Sequence, residues 1–267
     1  RLLLKYLEIF QEKQIRKVNQ LYYPRNRFEL DRRHFESKET PLPKLMELLQ
    51  QETRPCLLTV KGDQGVIVAV LPVENPANEA ASLEKFLTNI NWSLVTVKLI
   101  GPFIEGLLTF NNHYLKMPEQ YRLLALNYLT ERHAFMLEGA HDPLVEDDFL
   151  IAPHLIQGQL LVYSLMGVTT FSQLVFKFPA HRKKVAQFLQ SQVSRFDAAK
   201  GQRRHQILPE IRPMIEGWLQ RQHTSKDERY LFLSRQVLKK DPKNFFGPIE
   251  NLVKKFPDPF SFPGKHF

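Results

Sequence analysis

Only one cysteine, Cys56, occurs in the 267 residues. No intrachain disulfide can form, which suits a reducing compartment and a fold that needs no staples. Long apolar runs are missing too. No stretch approaches the roughly 18 apolar residues that a membrane helix needs. The nearest, Trp92 to Leu108, is interrupted by Lys98, Gly101, Pro102 and Glu105 and reads as a strand followed by a turn. Metal and catalytic signatures are equally scarce. His133, His141 and Asp142 lack a second pair at ligand spacing, and Glu146, Asp147 and Asp148 read as a solvated acidic loop capping a following helix. The loop Lys61-Gly-Asp-Gln-Gly65 lacks the Gly-Lys-Ser/Thr ending of a phosphate loop. Asp63 has no acid-x-Lys pair after it, and no Gly-x-Ser-x-Gly elbow occurs. Cys56 heads a strand without an evident His partner and reads as a core thiol. No metal, cofactor or catalytic constellation is expected, and the expected role is non-enzymatic.

Apolar material and positive charge are plentiful. Hydrophobic residues make up 43% of the chain, with 20 Phe and 8 Tyr, enough to bury a core. The net charge of +9 is unevenly distributed. Residues 1–60 hold 12 Lys/Arg against 8 Asp/Glu, residues 61–176 hold 6 against 12, and residues 177–267 hold 19 against 8. An acidic middle between basic ends implies at least one strongly positive face and an acidic partner for it.

Periodicity places most elements. Leu2, Leu3, Tyr6, Leu7, Phe10 and Ile15 recur at helical spacing, so residues 2–20 read as a basic amphipathic helix of the kind found beside a membrane anchor. A short helix is expected over Pro43–Gln51. The runs Cys56–Val60 and Val66–Leu71 around a Gly-rich turn predict a hairpin, and Trp92–Leu99 is expected to add a third strand. Beyond them the pattern reads as helical over Asn78–Asn89, Glu119–Glu138, His154–Met166, Ala180–Phe196, Glu210–Gln222, Lys226–Lys240 and Ile249–Phe256. Gln202–His205 reads as a polar connector. From Pro257 the alternation of Pro and Phe excludes a helix. The expected fold is mainly α, a helical domain with a small β-hairpin or sheet element near its N-terminal third. It divides into a juxtamembrane-like helix (1–24), a main helical domain (25–222) and a helical extension with a Phe/Pro-rich tail (223–267).

Three basic clusters are the candidate partner-binding residues. Arg25, Arg27, Arg32 and Arg33 interleave with Tyr22, Tyr23, Phe28 and Phe35. Lys177, His181, Arg182, Lys183 and Lys184 stand at the start of an expected helix, and Arg203 and Arg204 follow it. Such clusters suit carboxylates, through the Arg fork, or nucleic-acid phosphates, with aromatics stacking on bases. No helix-turn-helix, RNP or zinc-finger pattern is present, so acidic protein segments come first and nucleic acid second.

Several stretches also resemble a known family. They are Arg32-Arg-His-Phe35, Leu45–Glu52, Arg54-Pro-Cys-Leu57, Leu99-Ile-Gly-Pro-Phe103 with Gly106, Met136-Leu-Glu138, Asp148-Phe-Leu150 with Pro153, and Leu161-Val-Tyr163 before Gly167. Phe171, Ala180-His181, Pro209 and Gly217 fall in order after them. In patches covering about two-thirds of the chain, these are similar to the cytoplasmic domain of the DotM/TrbA family. Ile151, Val162 and Val168 stand where that family has Trp, Trp and Arg. The resemblance implies an adaptor subunit of a type IVB secretion or conjugation coupling complex. It would be anchored at the cytoplasmic face of the bacterial inner membrane, beside a coupling ATPase, and would present basic surface to acidic, Glu-rich signals on protein substrates.

Overall fold

A computed structural model of the chain describes residues 32–38, 41–132, 147–155, 159–164, 170–194, 203–234, 236, 238 and 246–256. The expected N-terminal helix and the Phe/Pro tail lie outside these residues. The first half runs β1 (Arg32–Glu36), α1 (Leu42–Gln50), β2 (Cys56–Lys61), β3 (Ile67–Val73), α2 (Pro76–Thr88), β4 (Leu94–Leu99), α3 (Phe103–Tyr114) and α4 (Glu119–Arg132). Its strands form an antiparallel four-stranded sheet in the order β1-β4-β2-β3. The expected hairpin is present as β2 and β3, and its turn places Gln64 and Gly65 at positive φ. The expected third strand is present as β4.

The second half runs β5 (Asp147–Pro153), β6 (Gln159–Ser164), β7 (Thr170–Lys177), α5 (Arg182–Ser194), β8 (Arg203–Gln206), α6 (Arg212–Ser225), β9 (Leu231–Ser234) and α7 (Phe246–Lys255). Here the sequence reading is overturned. A second antiparallel sheet of five strands, in the order β8-β7-β6-β5-β9, puts strands at Gln159–Ser164 and Leu231–Ser234, inside the helices expected over His154–Met166 and Lys226–Lys240. The molecule is mixed α and β, not mainly α with one small hairpin. Asp147 and Asp148 are the first residues of β5, so they open a strand where a helix cap was expected.

The physical reason is burial on both faces. Phe149, Ile151, Leu160, Val162, Leu174 and Phe176 point into a core with α5 and α7. Their neighbours Leu150, Leu161, Tyr163 and Phe171 point the other way, into the core shared with the first sheet. Strands covered on both sides read as continuous apolar runs without polar alternation, and a short run of that kind cannot be told from a helix by period alone. Residues 103–114 form a helix where the sequence suggests a turn. Pro102 sits at the N-cap of α3, where its fixed φ does not interrupt a helix. Gly106 is there for packing, since a Cβ on it would lie 2.8 Å from Pro72 Cβ and from Ile100 Cδ1.

Helices α3 and α6 fill the space between the sheets. Leu107, Phe110, Met214, Ile215 and Trp218 join residues of both sheets in one core. Polar groups tie the same layers. Asn111, buried on α3, donates from Nδ2 to the Gln206 carbonyl at 2.6 Å and accepts at Oδ1 from the Leu208 N–H at 2.9 Å. At the start of α2, Asn75 caps the Asn78 N–H, while Glu79 reaches back to accept from the Glu74 and Asn75 N–H groups at 3.0 and 2.8 Å. This is a reciprocal cap of the kind that satisfies orphan helix donors.

Candidate functional site

The cluster at Lys177–Lys184 forms one corner of the five-stranded sheet, where β7 turns into α5. The Lys177 N–H donates to His181 Nδ1 at 3.0 Å, so the imidazole closes the turn. Arg182 is engaged structurally. It pairs with Glu250 on α7, and its guanidinium lies 5.1 Å from the centre of the Phe178 ring and 5.3 Å from that of Phe246. That arrangement clamps α7 to the corner by charge and by cation–π attraction. Lys177 and Lys183 are exposed and Lys184 is half-exposed, and none of the three has an ion-pair partner among the described residues.

The polar connector of the sequence reading is a strand. Arg203 and Arg204 lie on β8, an edge of the five-stranded sheet, opposite Gln173 and Ser172 of β7. Alternation sends them to opposite faces. Arg203 shares its face with Phe171 and the inner core. Arg204 shares the outer face with Leu174 and Phe176, the face that α5 covers. Both arginines are exposed. Lys177 follows Gln173 by four positions along β7, a separation of about 13 Å at strand rise. Lys183 and Lys184, on α5, thus share the helix-covered face of the sheet with Arg204, while Arg203 lies on the other face.

Between the arginines of β8 and the core stands His205. Asn112 Nδ2 donates to its Nδ1 at 3.1 Å, and its Nε2–H donates to Gln173 Oε1 at 2.9 Å. Burial, helped by the nearby positive charge of Arg203, pushes its pKa below the usual histidine value. The ring is therefore neutral and serves as a hydrogen-bonded link between α3 and β7.

Arg32 and Arg33 sit elsewhere, on β1, an edge of the four-stranded sheet. Arg33, with Phe35, Leu48, Leu49, Val97 and Leu99, lines a groove of about 380 Å³ between β1 and the C-terminal end of α1. Arg54 stands at its mouth, holding Glu52 through Nε at 2.7 Å and Nη2 at 2.6 Å. Arg54 is alone in sequence, and nothing in its neighbourhood marks it as a groove residue. Arg25 and Arg27 lie outside the described residues. Phe35, expected to accompany the arginines as a stacking ring, is buried.

The remaining polar centres are structural. Glu74 accepts from Trp218 Nε1 at 3.1 Å and pairs with Arg221, joining the end of β3 to α6. Arg229 grips Asp227, whose carboxyl is held below its ordinary pKa by those hydrogen bonds against the opposing pull of burial. Cys56 is buried, and loss of solvent pushes its thiol well above the usual range, which leaves it a poor nucleophile. No group of three metal-ligating side chains and no helix long and apolar enough to cross a membrane occurs among the described residues.

The fold and its surface define a class: a two-sheet α/β protein whose basic residues gather on sheet edges and at one strand-to-helix corner. No protein-family model matches the chain, and no curated protein or solved structure does.

Proposed function

We propose that this chain is a non-enzymatic recruitment subunit that captures acidic, Glu-rich protein segments on the basic margin of its five-stranded sheet. The observation that carries the reading is that Lys183 and Lys184 on α5 and Arg204 on β8 belong to the helix-covered face at the β7–β8 side of one sheet, with no acidic neighbour paired to any of them among the described residues. Cations left unpaired at a surface attract an acidic partner by long-range steering and by charge-assisted hydrogen bonds. The resemblance to the DotM/TrbA family supplies the setting: a coupling complex at the bacterial inner membrane, with a coupling ATPase alongside and acidic protein substrates. Nucleic acid is the competing ligand. Burial of Phe35 weighs against it, because that ring is unavailable for base stacking.

The test is binding of a fluorescent Glu-rich peptide, and in parallel of a random-sequence oligonucleotide, across a salt series. The variant is the triple reversal Lys183→Glu, Lys184→Glu, Arg204→Glu. Arg182 is left intact because reversing it would break its pair with Glu250. Each exposed ion pair is worth about 0.2–1 kcal/mol, so losing three of them lowers peptide affinity by roughly threefold to 150-fold. Unchanged peptide binding in the triple variant would sink the assignment. Oligonucleotide binding with a steep salt slope and no peptide binding would transfer the surface to nucleic acid.

A further inference from the structure

The four-stranded sheet ends in β1, and its outer edge has no strand beside it among the described residues. Which backbone groups face outward follows from the pairing. The Ser37 N–H donates to the Ser93 carbonyl at 2.9 Å. Hydrogen-bonded pairs alternate along an antiparallel ladder, so Phe35 and Arg33 also bond toward β4. The other side of β4 agrees: the Ile100 N–H donates to the Pro55 carbonyl at 3.0 Å, which turns Lys98, Thr96 and Leu94 toward β2 and leaves Leu99, Val97 and Val95 for β1. The N–H and C=O groups of Arg32, His34 and Glu36 therefore point away from the sheet.

Beside this edge lies the groove beneath α1. Its floor is apolar, made by Phe35, Leu49, Val97 and Leu99, and Arg33 stands in its wall, exposed and without an ion-pair partner among the described residues. A row of free strand groups gives main-chain affinity, and an adjoining pocket selects side chains; together these are the two requirements of recognition by strand addition. At about 380 Å³ the groove lies within the range of ligand pockets.

We propose that β1 accepts an extended acidic segment of a partner protein as a fifth strand. The segment bonds to the outward groups of Arg32, His34 and Glu36, seats an apolar side chain over Phe35, Val97 and Leu99, and sets a carboxylate on Arg33. The carboxylate rests on the reading that the chain engages acidic partners. The strand addition itself adds a second docking site, on the other sheet from the basic margin.

The edge geometry supplies a clean test. Proline at position 34 removes an outward N–H and spares the bonds between β1 and β4, and proline is tolerated on an edge strand in that position. Alanine at the same position keeps the N–H and equally loses the contact between His34 Nδ1 and Thr96 Oγ1, 2.9 Å apart. The probe is a fluorescein-labelled peptide of alternating Val and Glu. Backbone amides of the whole chain are followed by hydrogen exchange, with circular dichroism to confirm folding of each variant. We expect His34→Pro to weaken binding about tenfold, His34→Ala to leave it within about twofold, and Arg33→Glu to weaken it about fivefold or more. The amides of Arg32, His34 and Glu36 should become protected when the peptide is added to the unsubstituted protein, a readout that does not depend on the folding of any variant. Equal binding by His34→Pro and His34→Ala overturns the proposal. So does protection of those amides before any peptide is added, which would mean that the edge is already covered. Binding that leaves the β1 amides unprotected, and is lost on reversing Lys183, Lys184 and Arg204, overturns the strand addition while supporting the basic margin. Absence of any peptide binding overturns both.

Discussion

Removing the Tyr128 hydroxyl, by Tyr128→Phe, should destabilise the protein in a pH-dependent way. The hydroxyl on α4 donates to Glu79 Oε2 at 2.8 Å, while Glu79 Oε1 takes the Glu74 and Asn75 N–H groups. Glu79 is 4% exposed. Burial pushes its pKa above the ordinary glutamate value, and the hydrogen bonds from the Asn75 backbone and from Tyr128 oppose that rise. A hydrogen bond to an ionised buried group contributes about 1.5–3 kcal/mol, and one to a neutral group about 0.5–1.5 kcal/mol. Because the folded pKa is raised, the folded state holds its proton more tightly than the unfolded chain. The unsubstituted protein therefore loses stability as pH rises from the unfolded value of Glu79, near 4.5, through its raised folded value. Tyr128→Phe raises the folded pKa further, so its penalty should be about 2–3 kcal/mol at pH 8 and about 1 kcal/mol at pH 4. Urea unfolding at the two pH values, with slopes compared to confirm two-state behaviour, measures both numbers. Glu79→Gln keeps an acceptor for the two backbone donors and cannot ionise, so it should flatten the difference between the two pH values. A penalty for Tyr128→Phe that is equal at both pH values would refute the reasoning that the Tyr128 hydroxyl opposes the rise in the Glu79 pKa.

Other outcomes follow from the same structure. Gly106→Ala, which places a methyl 2.8 Å from Pro72 and Ile100, should cost about 1–3 kcal/mol by overpacking despite the better helix propensity of alanine, read from urea midpoints. Arg182→Ala loses the Glu250 pair and the stacking on Phe178 and Phe246; it should lower stability by about 1–2 kcal/mol, whereas Lys183→Ala should stay within about 0.5 kcal/mol. His205 has a folded pKa below its unfolded value. Its contribution is therefore complete above about pH 6.5 and is lost as pH falls below that, so the acid side of the stability profile should flatten in His205→Gln.

Much of the first half was legible in the sequence because its signals are local. The hairpin of β2 and β3 follows from two β-branched runs around a Gly-rich turn, and α1 and α2 begin at prolines. The second half was misread where burial is two-sided. Leu160-Leu-Val-Tyr163 carries no polar alternation, and Leu231-Phe-Leu233 is short and flanked by charge, so neither announces a strand until β5 provides its partner. The candidate site was legible as composition only. Residue type and density pointed to an acidic partner, but clusters contiguous in the chain need not share a surface. Arg203 and Arg204 part onto opposite faces of β8, and Arg182 is spent on holding α7.

The sequence by itself determined the quantities that depend on residue count and local chemistry: a buried thiol, ample apolar material, the positive excess of the C-terminal third, and the hairpin. The tertiary structure alone decided which strands lie inside and which at an edge, because a strand's partners come from distant parts of the chain. That decision turned Arg33 into the wall of a groove, Arg182 into a clamp and His205 into a neutral link, three fates that charge and spacing leave undetermined.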